Sequence, residues 1–237
     1  MLTTLYVLST LAYMLRTNHN GGTFTSLSWS GYIIPQDYNS KFEVTAVEAS
    51  WTVPQINVLA GDGYSSAWIG IGGHSEKTLI QVGTEQDVIG GQDTYSAWYE
   101  MLPALSVTID EMVVAPGDNI TASLSLIGYN ANMWNIQLND TSNGQVFNRN
   151  VNYNSSLTSG EWIVERPTIN NQISNLCDFG TVPFSNCQIT LNNIVGAIGN
   201  FTYSKIVMAN ELGAQLASSS KLSSDGSSFS VNYVAGS

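Results

Sequence analysis

"VTAVEASWTVP" occupies residues 44–54 and repeats with a period of two. Val47, Ala49, Trp51 and Val53 share one face, while Glu48, Ser50 and Thr52 share the other. That alternation is the signature of a strand with one buried side, because successive side chains point to opposite faces of a sheet. "NITASLSLIGY" (119–129) and "SFSVNYV" (228–234) alternate in the same way. Turn signals separate such runs: "GDG" (61–63), "GG" (72–73 and 90–91), "APGD" (115–118) and "SNG" (142–144). Asn143-Gly144 marks a hairpin. Helical patterning is scarce, and "MANELGAQLA" (208–217) is its best case. Many short alternating strands predict an all-β antiparallel sandwich or barrel. With no repeat and no linker, residues 23–237 read as one domain.

Only 11% of the 237 residues are charged, and 7 Lys+Arg against 18 Asp+Glu leave a net charge of −11. Phosphate binding relies on Lys/Arg clusters, and none is present. Nucleic acid and anionic membrane surfaces are therefore excluded as partners. In strong acid the carboxyls are neutral, and 7 Lys+Arg with 2 His are the only side chains left to repel one another. Such a chain suits acid. A surface on which Ser, Thr, Asn and Gly replace charges outside the cell gives the same composition.

Residues 2–15, "LTTLYVLSTLAYML", are uncharged and largely apolar. They fit a signal-peptide core better than a span of roughly 20 apolar residues. Residues 1–22 are accordingly read as a signal peptide or N-terminal leader, with an uncleaved membrane tether as the alternative. Sequons at Asn119, Asn139, Asn154 and Asn200 agree with secretion. Cys177 and Cys187 are the only cysteines; one disulfide or two free thiols fit equally. His19 and His74 lie far apart and the cysteines lack ligand spacing, so no metal is expected.

Three stretches place polar groups on apolar strands. In "SGEWIVERP" (159–167), Glu161, Ile163 and Glu165 point one way, and Trp162 and Val164 the other. Residues four apart on a strand are separated by about 13 Å, so these two glutamates do not form a catalytic pair with each other. "TLIQVGTEQD" (78–87) sets Gln81 among Leu79, Ile80 and Val82. "TYSAWYEMLP" (94–103) puts Ser96, Trp98 and Glu100 on one face and Tyr95, Ala97 and Tyr99 on the other. Each polar residue alone reads as solvent-facing; together they read as one wall of a groove.

Seven blocks, in order, resemble the glutamic peptidases, or eqolisins: "WSGY" (29–32), "SWTVP" (50–54), "AWIGIGG" (67–73), "LIQVGTEQD" (79–87), "YSAWYEMLP" (95–103), "EWIVERP" (161–167) and "DFGTVPF" (178–184). The resemblance spans residues 29–235. It implies a two-sheet antiparallel β-sandwich of the concanavalin-like or jelly-roll type and an acid-acting, pepstatin-insensitive endopeptidase. By position, the family's catalytic Gln and Glu fall on Gln81 and Glu165. Trp68 and Glu100 match its groove residues, and Trp98 a neighbouring position. Glu161 matches a position that is not catalytic, and it reads as structural or solvent-facing. Arg166 is expected on the opposite face from Glu165.

Gly72, Ser96 and Leu102 replace the family's Asp, Asp and Tyr, and Glu85 replaces an Asp. The resemblance implies polypeptide substrates, no cofactor and a secreted monomer. The leader is short for a signal peptide and a propeptide together. The alternatives are a carbohydrate-active or lectin-like sandwich, with Trp68 and Trp98 stacking on sugars, and an inactive surface module.

Overall fold

The computed structural model describes residues 22–36, 42–128, 130 and 132–234, with the backbone of 7–8 and 14–15. The expected leader thus lies almost wholly outside the described residues. Among them no helix is long and apolar enough to cross a membrane, and the alternative of a tether through residues 2–15 falls outside them.

Two antiparallel sheets face each other. The back sheet runs Gln145–Asn152, Met133–Asp140, Asn119–Gly128, Val44–Thr52 and Thr181–Leu191. The front sheet runs Ser204–Ala209, Trp29–Pro35, Ser159–Glu165, Gly63–Gly72, Leu79–Ile89 and Gln92–Met101. Gln215–Ser219 and Phe229–Tyr233 carry the pairing from one sheet to the other at one edge. Thr23–Ser26 adds a parallel partner to Ser204–Ala209.

The alternation read from residues 44–54 is kept. Val47, Ala49, Trp51 and Val53 are buried, while Glu48 is exposed and Ser50 and Thr52 half-buried. Trp51 crosses the core and donates its indole N–H to Thr84 Oγ1 of the front sheet at 3.0 Å. Trp162 reaches back and donates to Glu48 O at 3.0 Å. Each bond satisfies a buried donor that would otherwise cost about 1–3 kcal/mol. Phe184 stacks on Phe229, centroids 5.0 Å apart, closing the edge where the sheets join.

The Asn143-Gly144 signal sits in the turn between Met133–Asp140 and Gln145–Asn152, with Gly144 at φ +79°. The best case of helical patterning, 208–217, is instead part of a hairpin of Ser204–Ala209 and Gln215–Ser219. Asn210 Oδ1 accepts from Leu212 N (3.0 Å) and Ala214 N (2.9 Å), and Gly213 adopts φ +84°. A side chain that bonds its own following amides competes with helix, and here it wins. Leu212, which would anchor a helix face, is 94% exposed. Cys177 and Cys187 are buried free thiols.

Candidate active site

Strand register places the expected residues on one face. Ile33, Glu161, Gly70, Gln81 and Glu100 stand in one row across the front sheet. The next row is Gly31, Ile163, Trp68, Gly83 and Trp98. The third is Trp29, Glu165, Ser66, Glu85 and Ser96. Residues of opposite parity, among them Tyr32, Trp162, Ile69, Val82 and Tyr99, enter the core between the sheets. Gln81, Glu165, Trp68, Trp98 and Glu100 therefore all lie on the face turned away from that core. Trp29, Ile33, Trp68, Leu79, Trp98, Leu102, Ile163 and Ile206 form a second apolar cluster on it.

Gln81 is fixed by Glu100: its Nε2 donates to Glu100 Oε2 at 2.6 Å. Glu165 is fixed by Trp68, whose Nε1 donates to Glu165 Oε2 at 2.9 Å. Trp29 packs edge-on against Trp68, centroids 5.0 Å apart. Glycines make room for these rings. A Cβ on Gly70 would meet the Trp68 ring at 2.8 Å, and one on Gly83 would meet Ala67 O at 2.4 Å.

The electrostatics follow from burial. Glu165 is 1% exposed, and its carboxyl is pushed up to about 8, first by desolvation and then by the charge of Glu100. The Trp29 and Trp68 indoles act the other way, Trp68 through its direct bond. Glu165 Oε1 makes no hydrogen bond among the described residues. Glu161, on the same face, is fully buried rather than solvent-facing, and neither of its oxygens is hydrogen-bonded among the described residues. Desolvation raises its carboxyl well above the ordinary range, against a smaller opposing effect of Ser159. Sequence reasoning undervalued it because alternation assigns it a side, not what covers that side.

The departures have local causes. Gly72 adopts φ +92°, and a Cβ there would meet Thr78 O at 2.3 Å, so this backbone admits no Asp. Ser96 donates to Glu85 Oε1 at 2.5 Å, a short residue facing a long one across the strands. Burial raises both Glu85 and Asp87, the latter further through the charge of Glu85. Arg166 stays clear of Glu165, donating to Leu27 O (2.7 Å) and Ser174 O (3.2 Å). No three His, Cys, Asp or Glu among the described residues are grouped to hold a metal. Trp29, in register with Glu165, was not singled out, since nothing local reveals that pairing.

An oriented amide and a carboxyl of raised pKa on one sheet face are suited to acyl transfer. Comparison with known proteins agrees. The chain is 26% identical to aspergillopepsin-2 of Aspergillus niger over 201 residues, 75% of this chain and 69% of that protein. It is 24% identical to scytalidopepsin B of Scytalidium lignicola over 200 residues, 78% of this chain and 71% of that protein. The structure of scytalido-glutamic peptidase with a transition state analog inhibitor matches with a TM-score of 0.72 at 21% identity, covering 87% of this chain and 98% of that one. Aspergilloglutamic peptidase from Aspergillus niger matches with a TM-score of 0.64 at 25% identity, covering 73% and 99%. The family model described as the peptidase A4 family matches residues 27–233, and with it the chain is placed as a peptide hydrolase: it belongs to the peptidase A4 family, the glutamic peptidases or eqolisins.

Proposed function

We propose that this protein is a secreted acid endopeptidase in which Glu165 and Gln81 act together on a water molecule and the scissile peptide bond. Glu165 takes a proton from the water as it attacks the carbonyl, then gives that proton to the leaving amine. The first step needs the carboxylate. Desolvation is the largest cause of the raised Glu165 pKa, and the water that enters with the substrate relieves it. Gln81 serves the oxyanion. Its bond to Glu100 orients the amide, whose NH₂ donates to the developing negative charge. An amide does not titrate, so it keeps this role in acid. Trp98 and Trp68 flank the two groups as substrate-binding walls.

The observation that carries this reading is the paired fixation on one face: Gln81 by Glu100 and Glu165 by Trp68. Glu100 is engaged by an amide, which speaks against its serving as the free acid of a glycosidase pair. Digestion of denatured casein at acid pH tests the proposal. Glu165→Gln and Gln81→Ala should each lose at least about 100-fold in turnover, the usual cost of an oxyanion donor or of a general base. Both should unfold near the parent temperature in acid, and pepstatin should leave the parent's cleavage intact. Near-normal proteolysis by folded Glu165→Gln defeats the assignment.

A further inference from the structure

Leu79 and Leu102 face each other where the Gln81 strand begins and the Glu100 strand has just ended. Leu102 N donates directly to Leu79 O at 2.9 Å. The reciprocal bond of such a pair is missing, and the Tyr153 hydroxyl stands in its place. It accepts from Leu79 N at 2.8 Å and donates to Leu102 O at 2.7 Å. The phenol is a wedge in the ladder that satisfies both opened backbone groups. Two residues further along, Gln81 meets Glu100.

Tyr153 is itself held from the other sheet. Its carbonyl accepts from Trp134 Nε1 at 3.0 Å, and its N–H donates to Asn132 O at 2.9 Å. It opens the connection, residues 153–158, that leads into the Ser159–Glu165 strand. Ser156 of the same connection donates its N–H to Thr78 Oγ1 at 2.9 Å. The approach to the Glu165 strand is thus stitched to the start of the Gln81 strand, with the phenol as its innermost tie.

We propose that Tyr153 is a positioning residue for peptide cleavage: its hydroxyl, inserted between Leu79 and Leu102, sets the spacing of their strands and so the aim of the Gln81–Glu100 pair. The proposal rests on the role given above to Gln81. It follows that Tyr153 acts in the transition state, where the amide meets the oxyanion, more than in substrate binding. A misplacement of about 1 Å at such a group costs up to about 100-fold.

The test is Tyr153→Phe, which keeps the ring and removes the hydroxyl. Below its melting transition it should lose about tenfold in kcat with KM within about twofold, as expected for a contact made only in the transition state. Phe184→Leu, which thins the core at the edge where the sheets join, is the stability control and should keep its kcat. A Phe variant with parental kcat, or a control that loses kcat equally, overturns the proposal. Hydrogen exchange in the unaltered protein tests it even if Tyr153→Phe does not fold. The Leu79 amide should be protected like that of Leu102; exchange at the rate of an exposed amide refutes the wedge. That measurement does not involve cleavage, so failure of the dyad, seen as an active Gln81→Ala, is distinguishable from failure here.

Discussion

Two separable causes hold the Glu165 carboxyl high, desolvation first and the charge of Glu100 second. They predict different behaviour under substitution. Glu100→Gln keeps an oxygen that can accept from Gln81 Nε2, so the amide stays oriented, and it removes only the charge. A nearby negative charge disfavours ionisation of a carboxyl, so its removal lowers the pKa of Glu165. The rising acid limb of kcat, which reports ionisation in the substrate complex, should therefore move to lower pH in Glu100→Gln, with the maximal rate largely kept. A pH profile superimposable on the parent's, in a folded variant, means that desolvation alone sets the limb. Loss of activity at every pH instead assigns Glu100 a direct part in the reaction beyond its effect on Glu165.

Between strands, the site depends on close approach. Gly83 stands between Trp68 and Trp98 in its row, and a Cβ there would meet Ala67 O at 2.4 Å and Trp68 Cβ at 2.6 Å. Neither neighbour is the free end of a flexible chain, so Gly83→Ala must part the Gly63–Gly72 and Leu79–Ile89 strands locally. Overpacking of this kind costs typically about 1–3 kcal/mol. Urea unfolding should register that loss, and turnover should fall with it because Trp68 holds Glu165; unchanged stability and rate would place the strands further apart than described. The strands themselves were legible from alternation, as Val47, Ala49 and Trp51 show, because burial on one side imposes period two. Over 208–217, the best case of helical patterning, Asn210 and Gly213 make a turn through local bonds that outweigh the apolar spacing. For the site, alternation separated Glu161 and Glu165 from Trp162, but not which strands adjoin theirs. Gln81 and Glu161 share a row only because both strands pair with Gly63–Gly72. Such long-range register leaves no local trace, and the family resemblance supplied the dyad instead. Tyr153, which works through backbone groups of two other segments, left no signal at all.

Taken whole, the molecule is built to be neutral where most proteins are charged. Its few cations limit repulsion in acid, and its front-sheet face buries Glu161 and Glu165 beside Glu100, with Glu85 and Asp87 further along. A carboxyl whose folded pKa is raised binds its proton more tightly in the native state than in the unfolded chain. The stability it contributes is complete below the unfolded value and is lost as pH climbs through the folded one. For Glu165 that window runs from 4.5 to about 8. Integrated over it, one such group withdraws on the order of 5 kcal/mol, comparable to the entire stability of many domains. Glu161, raised by the same cause and fully buried, adds a second loss of the same sign. The melting temperature should therefore be highest in acid and fall as pH approaches neutrality, the reverse of ordinary acid denaturation. Glu161→Gln isolates the effect, since it keeps the volume and cannot ionise. It should match the parent in acid, where Glu161 is neutral in both folded and unfolded chains, and melt well above it near neutrality. Thermal melts of the two proteins across that window decide the matter: a parent equally stable at both ends, or a Gln variant with no advantage at the upper one, means that these buried carboxyls are not what ties the fold to acid.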